Sequence, residues 1–146
     1  MRLAAARAAV RLALDEDLGS PWCDATSEAL VDPAAKATGE IYAKGAGCVV
    51  AGATVARAVL KAVDPRVSVR ILRPDGSAAK PGVPILAFRG RARSILAAER
   101  TALNFMQRMC ATATLARRFV DATKRYGTLI LDTRKTTPGL DRKSVV

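Results

Sequence analysis

The 146-residue sequence contains no histidine. That absence removes Ser–His and Cys–His nucleophilic catalysis, and the commonest zinc ligand, from anything the chain does alone. Cysteine is scarce: Cys23, Cys48 and Cys110 form an odd count without metal-type spacing. Free thiols in a reducing compartment are expected, not a disulfide framework. Aromatic residues make up 4% of the chain, leaving few stacking platforms for single-stranded nucleic acid. No run approaches the ~18 apolar residues of a membrane span. The opening apolar stretch is broken by Arg7 and Arg11 and runs into Asp15-Glu16-Asp17. It is expected to be a helix of the folded domain, not a targeting signal, and the protein to be soluble and cytoplasmic.

What is present is a globular composition with an uneven charge. Apolar residues are 50% and charged residues 25%, enough for a real core. Residues 1–88 carry 11 Lys and Arg against 9 Asp and Glu, whereas residues 89–146 carry 13 against 4. The partner of the second half should therefore be anionic.

Residues 2–14 read as a helix stopped by Gly19-Ser20-Pro21, and Asp24-Ala25-Thr26-Ser27 as a turn or cap. Residues 38–50 read as β structure, with Gly45 and Gly47 marking a tight hairpin or bulge. A helix follows from Val55 to Val63, then strands at 67–72 and 85–88, separated by Pro74-Asp75-Gly76 and Lys80-Pro81-Gly82 turns. Residues 38–90 thus form a small, mostly antiparallel sheet with one helix inserted. Arg89, Arg91 and Arg93 alternate as on an edge strand, either reading a phosphate or forming a solvated face. Gly45-Ala46-Gly47 lacks the Lys-Ser/Thr or dinucleotide spacing of a phosphate loop.

Two further helices are expected, Ser94 to about Cys110 and about Thr114 to Tyr126, with a break near Ala111-Thr112 and Gly127 as the C′ residue. On the first, Leu96, Leu103 and Cys110 fall within ~40° of each other. Arg100 and Gln107 project into the same sector, and an arginine on an apolar side needs a partner or a ligand. The plain alternatives are an acid of another chain, or snorkelling to solvent. Thr128–Asp132 reads as a buried strand that empties into Thr133-Arg134-Lys135-Thr136-Thr137. In parallel α/β architectures ligands bind beyond the carboxyl ends of strands, so adjacent cations there suit carboxylates or phosphates. Asp132 either orients those cations or caps the turn.

Glu16-Asp17-Leu18-Gly19, Asp24-Ala25-Thr26-Ser27, Ala51-Gly52, Glu99-Arg100-Thr101-Ala102-Leu103-Asn104-Phe105-Met106-Gln107-Arg108 and Asp132-Thr133-Arg134-Lys135-Thr136-Thr137-Pro138-Gly139-Leu140 come in order along the chain. In that order and spacing the sequence resembles quinolinate phosphoribosyltransferase, the carboxylating nicotinate-nucleotide pyrophosphorylase of NAD synthesis. The resemblance implies an α+β fold: an N-terminal α/β sandwich over residues 1–112, then the start of a β/α barrel over 113–146. It implies transfer of phosphoribose from phosphoribosyl pyrophosphate to quinolinate with Mg²⁺, giving nicotinate mononucleotide, pyrophosphate and carbon dioxide.

Carried over by motif, Thr133, Arg134 and Lys135 bind the anionic substrate, and Arg100 reaches into the neighbouring site of a homodimer. A full barrel needs ~250 residues, so the chain is expected to be a truncated, inactive N-terminal part lacking the metal ligands. Its last strand, with open edges, is expected to be poorly held or aggregation-prone. The alternatives are a molybdenum-transport-associated or nicotinate-using relative of the same fold, and a basic polyanion- or nucleic-acid-binding module.

Overall fold

The computed structural model describes residues 3–133 and Lys135. The chain opens on α1 (Leu3–Leu18), an alanine-rich segment of high helical propensity. It ends at Gly19, whose φ of +73° suits glycine and whose N–H donates to the Asp15 carbonyl. The helix runs one turn beyond the expected Leu14. Leu18 packs against the core, Trp22 Nε1 donates to Asp15 at 2.7 Å, and Asp17 finds a distant cation. Carboxylates in a last helical turn oppose the dipole, and these contacts offset that. A short helix, α2 (Ala25–Leu30), follows its Asp24 N-cap.

Three strands form the main sheet: β1 (Lys36–Tyr42), β3 (Ser68–Ile71) and β5 (Pro84–Arg91). The order is β1-β5-β3, antiparallel throughout, with Lys36 opposite Arg91 and Ser68 opposite Arg89. Two short strands, β2 (Cys48–Val49) and β4 (Ala78–Ala79), pair separately. The expected hairpin across Gly45 and Gly47 therefore does not form, because the two arms belong to different sheets. Instead β2 is drawn towards the long helix α4 (Ala92–Thr123). The Val49 N–H donates to Thr114 Oγ1 at 2.9 Å and the Ala51 N–H to Cys110 Sγ at 3.3 Å.

Helix α3 (Ala53–Val63) connects the sheets. Its N-terminus is capped from a distance: Asp75, in the turn after β3, accepts from the Ala53 N–H and the Thr54 hydroxyl. Helices α3 and α4 cover one side of the main sheet and α1 packs against both, forming an α/β sandwich. Val10 and Leu14, Val59 and Leu60, Leu86, and Ile95, Ala98, Ala102 and Met106 fill the space between. The expected sandwich of helices on a small antiparallel sheet is thus the observed one.

Two expectations about the second half are corrected. Helix α4 is continuous through Ala111-Thr112 rather than broken. Thr112 and Thr114 donate their hydroxyls to the carbonyls of Arg108 and Cys110, so the threonines are accommodated within the helix. A 3₁₀ turn (Lys124–Tyr126) then leads to Gly127, which takes the expected left-handed conformation. Residues 128–132 are not a buried strand. Leu129 and Leu131 are 80% and 82% exposed, and no neighbouring strand among the described residues satisfies their backbone.

Candidate functional site

Arg100 stands on the third turn of α4. The buried side of this helix is Ile95, Ala98, Thr101, Ala102, Met106 and Cys110, the face set against the sheet and α3. Leu96, Leu103 and Gln107 share Arg100's sector, as their spacing predicts, but most of that sector faces outwards: Leu96 and Gln107 are exposed, Leu103 is half-buried, and Cys110, at its border with the packing face, is buried. The expectation of an arginine on a buried apolar face is therefore corrected. The packing surface is phased about a quarter-turn or more away, on smaller residues that let the helix approach the sheet.

The side chain of Arg100 is 75% exposed, yet it is held. Its Nη1 donates to Asp17 Oδ1 at 2.7 Å, while Asp17 itself is mostly buried and its other oxygen receives the Thr101 hydroxyl at 3.4 Å. Asp24 feels the same guanidinium. The Ser27 hydroxyl is the main cause of its lowered pKa, and the charge of Arg100 contributes. Three sequence motifs thus converge here: the acidic end of α1 and the α2 cap, close together in sequence, and the α4 arginine some eighty residues further on.

Beside this pair lies a concavity of about 290 Å³ lined by Glu16, Asp17, Thr101, Asn104, Phe105 and Arg108. Asn104 and Arg108 recur at one helical turn, so both reach it from α4. A larger groove of about 610 Å³ runs along the same helix, between Leu103, Gln107, Leu115 and Arg118 and the Ile41–Tyr42 end of β1. The guanidinium of Arg100 has one nitrogen committed to Asp17 and its remaining donors open to solvent. That arrangement orients a cation without burying it, and suits a carboxylate or phosphate approaching from outside the chain.

The loop after Gly127 is placed differently. Thr133 and Lys135 are both exposed; the Thr133 N–H donates to Asp132 Oδ1 and the Lys135 N–H to Thr133 Oγ1. Arg134 lies outside the described residues. Among the described residues, no hydrogen bond or ion pair joins this loop to Arg100, and neither Thr133 nor Lys135 lines the two concavities above. Asp132 caps its own loop, one of the two roles its position suggested. No group of three or more His, Cys, Asp and Glu is placed to hold a metal ion among the described residues. No helix among them is long and apolar enough to cross a membrane.

Sequence reasoning passed over Asp64, the one buried carboxylate among the described residues. Arg66 grips it through both oxygens and Ser94 donates to it at 3.0 Å, so its pKa is held far below the usual range despite burial. The signal was available as Asp64-Pro65-Arg66 at a helix end, but it reads locally as turn chemistry.

A family model described as quinolinate phosphoribosyl transferase, N-terminal domain, matches residues 24–110. A rice protein named nicotinate-nucleotide pyrophosphorylase [carboxylating], chloroplastic, is 40% identical over 134 residues, covering 92% of this chain and 35% of its own length. A Mycobacterium leprae protein named nicotinate-nucleotide pyrophosphorylase [carboxylating] is 40% identical over 138 residues, covering 93% and 48%. The solved structure of the nicotinate-nucleotide pyrophosphorylase from Francisella tularensis superposes with a TM-score of 0.86 at 32% identity, covering 93% of this chain and 47% of that one. The chain therefore spans half or less of the length of these relatives.

Proposed function

Because this chain belongs to the quinolinate phosphoribosyltransferase family, we propose that it furnishes the Arg100-bearing part of an enzyme making nicotinate mononucleotide. In that reaction the bond from the sugar's anomeric carbon to diphosphate breaks and a bond to the pyridine nitrogen of quinolinate forms. Carbon dioxide then leaves the zwitterionic ring. Both substrates are polyanions that repel each other, so fixed cations are what the protein must supply. Holding the two in line removes most of the entropic barrier.

The observation that carries this reading is the state of Arg100: oriented by Asp17, open on its other donors, and set in the motif where the family resemblance is most specific. We assign it to the quinolinate carboxylates of a second subunit's site in a homodimer. Thr133, Arg134 and Lys135 supply the second group of donors. Mg²⁺ accompanies the diphosphate, with its ligands outside the described residues, and no step here is routed through it. Three free thiols favour a reducing compartment, and we place the protein in the cytoplasm.

The test is an assay on protein made from the complete coding sequence. Nicotinate mononucleotide and pyrophosphate should form from quinolinate and phosphoribosyl pyrophosphate. Product from nicotinate but not quinolinate would transfer the assignment to a relative of the same fold. A folded protein that turns over neither overturns it.

A further inference from the structure

The side of the main sheet turned away from α3 and α4 carries an unexplained concentration of cations. Strand alternation sends Ala37, Ile41, Val69 and Phe88 towards the core, and Lys36, Thr38, Ser68, Arg89 and Arg91 outwards. Register sets them side by side. Lys36 stands directly opposite Arg91; one row along, Arg89 lies between Thr38 and Ser68 on the two flanking strands. Like charges directly opposite in a sheet repel. Among the described residues, none of Lys36, Arg89 and Arg91 has a carboxylate within ion-pair distance.

A concavity of about 480 Å³ opens among these residues, with Asp64 and Arg66 at its edge. Asp64 does not neutralise it, because both its oxygens are engaged by Arg66 and one also by Ser94. Gly90 keeps the patch in place: a Cβ there would lie 2.8 Å from Val67 Cγ2, so only glycine lets β5 run straight between Arg89 and Arg91. The two rows span about 7 Å along the strands and the three strands about 10 Å across. In the next outward row Glu40 and Arg70 stand on either side of Ala87, a row with no net charge.

We propose that this sheet face is a binding site for a diphosphate group. Arg89 takes one phosphoryl group with the Thr38 and Ser68 hydroxyls beside it, and Lys36 and Arg91 take the other. The neutralised Lys36–Arg91 repulsion then becomes a gain in stability on binding. The extent of the patch separates a diphosphate from a nucleic acid strand. Two rows of unpaired cations, followed by a row in which Glu40 offsets the charge of Arg70 and with no aromatic side chain among them, offer neither a continuous backbone track nor a stacking platform.

The experiment is a calorimetric titration of the chain at low salt with inorganic pyrophosphate, ADP, orthophosphate and a single-stranded 20-mer, with thermal melts in parallel. Pyrophosphate should bind more tightly than orthophosphate and raise the melting temperature, the affinity falling with added salt. ADP binding as tightly as pyrophosphate assigns the site to the diphosphate of a nucleotide; ADP binding more weakly assigns it to the free anion. Arg89→Gln should weaken binding by ~10- to 100-fold, as expected for a lost charge-assisted hydrogen bond. Arg91→Gln should weaken it as well, and Arg89→Lys should keep most of it. Arg100→Gln should leave it unchanged, which separates this site from the one on α4. Equal affinity for orthophosphate and pyrophosphate, tighter binding of the 20-mer, or indifference to both Arg89→Gln and Arg91→Gln in folded protein would overturn the proposal.

Discussion

Arg100 and Asp17, 83 positions apart, close a 2.7 Å ion pair that ties the end of α1 to the third turn of α4. The arginine is largely exposed, so the pair is screened and worth at most ~1 kcal/mol to stability. Its consequence is orientation. Arg100→Ala should shift the denaturation midpoint little, while lowering kcat/KM for quinolinate in protein from the complete coding sequence by ~10- to 100-fold. Asp17→Asn should reproduce part of that loss, because the cation remains but is no longer aimed. Equal losses in stability and activity for Arg100→Ala would reduce the pair to a structural clamp.

Asp64 should govern behaviour in acid. The bidentate Arg66 contact holds its folded-state pKa well below the unfolded value of about 4. Its stabilising contribution is therefore complete above pH 4 and is lost progressively as pH falls below it. Urea denaturation should show Asp64→Asn destabilised at pH 7 by ~1–3 kcal/mol, the cost of breaking a buried charge-assisted network. The gap between variant and parent should narrow between pH 4 and pH 2. A constant gap would mean that Asp64 is not the acid-sensitive group.

Gly47 is conformationally constrained twice. Its φ is +81°, and a Cβ there would lie 2.3 Å from the Ala79 carbonyl oxygen, a backbone atom with little freedom to move. Gly47→Ala should cost more than the ~1 kcal/mol of a strained φ alone, measured by thermal melting. Gly82→Ala, at φ +72° with open space around it, should cost only the conformational part.

The apolar end of the described chain is an association hazard. Leu115, Phe119, Leu129 and Leu131 are all more than half exposed. Replacing Leu129 and Leu131 together by glutamate should raise the concentration at which the chain stays monomeric, with no loss in melting temperature. Light scattering checks the first point and calorimetry the second. A fall in melting temperature would show that these side chains pack somewhere in the folded protein.

The elements with strong local signals were readable from the sequence. Alternation in Val67–Ile71, the Val55–Val63 periodicity and the glycine after Tyr126 all match what forms. What local pattern could not convey was partnership. The two arms flanking Gly45 and Gly47 look like a hairpin until β5 and β4 claim them separately. Thr112 looks like a helix breaker until its hydroxyl finds the Arg108 carbonyl. Leu129-Ile130-Leu131 has strand composition, but a strand needs a neighbour.

At the candidate site the same distinction applies. Arg100 stood out from its motif and its helical position, but its sector was placed on the wrong side of the helix. Leucine spacing suggested the core face, whereas the sheet is met by alanines, Ile95 and Met106. Nothing local links Asp17 to Arg100, and only the fold brings the acidic end of α1 against it. The alternating arginines were read as the face of an edge strand, but β5 is the central strand and Arg93 belongs to α4, where Glu28 and the Val31 carbonyl hold it. Only Arg89 and Arg91 share the outward face, and the register that puts Lys36 beside them depends on long-range pairing.

The unbroken α4 carries side chains out past the sandwich. The Thr114 hydroxyl at Val49 is the last hydrogen bond from α4 to the sandwich among the described residues, and the axis continues from there to Thr123, about 14 Å further at 1.5 Å per residue. With no proline or glycine to interrupt it, the helix fixes the distance and bearing of Phe119 from Leu103 and Thr114, which border the groove. The exposed tip is therefore set in register by the half of the helix that packs on the sheet.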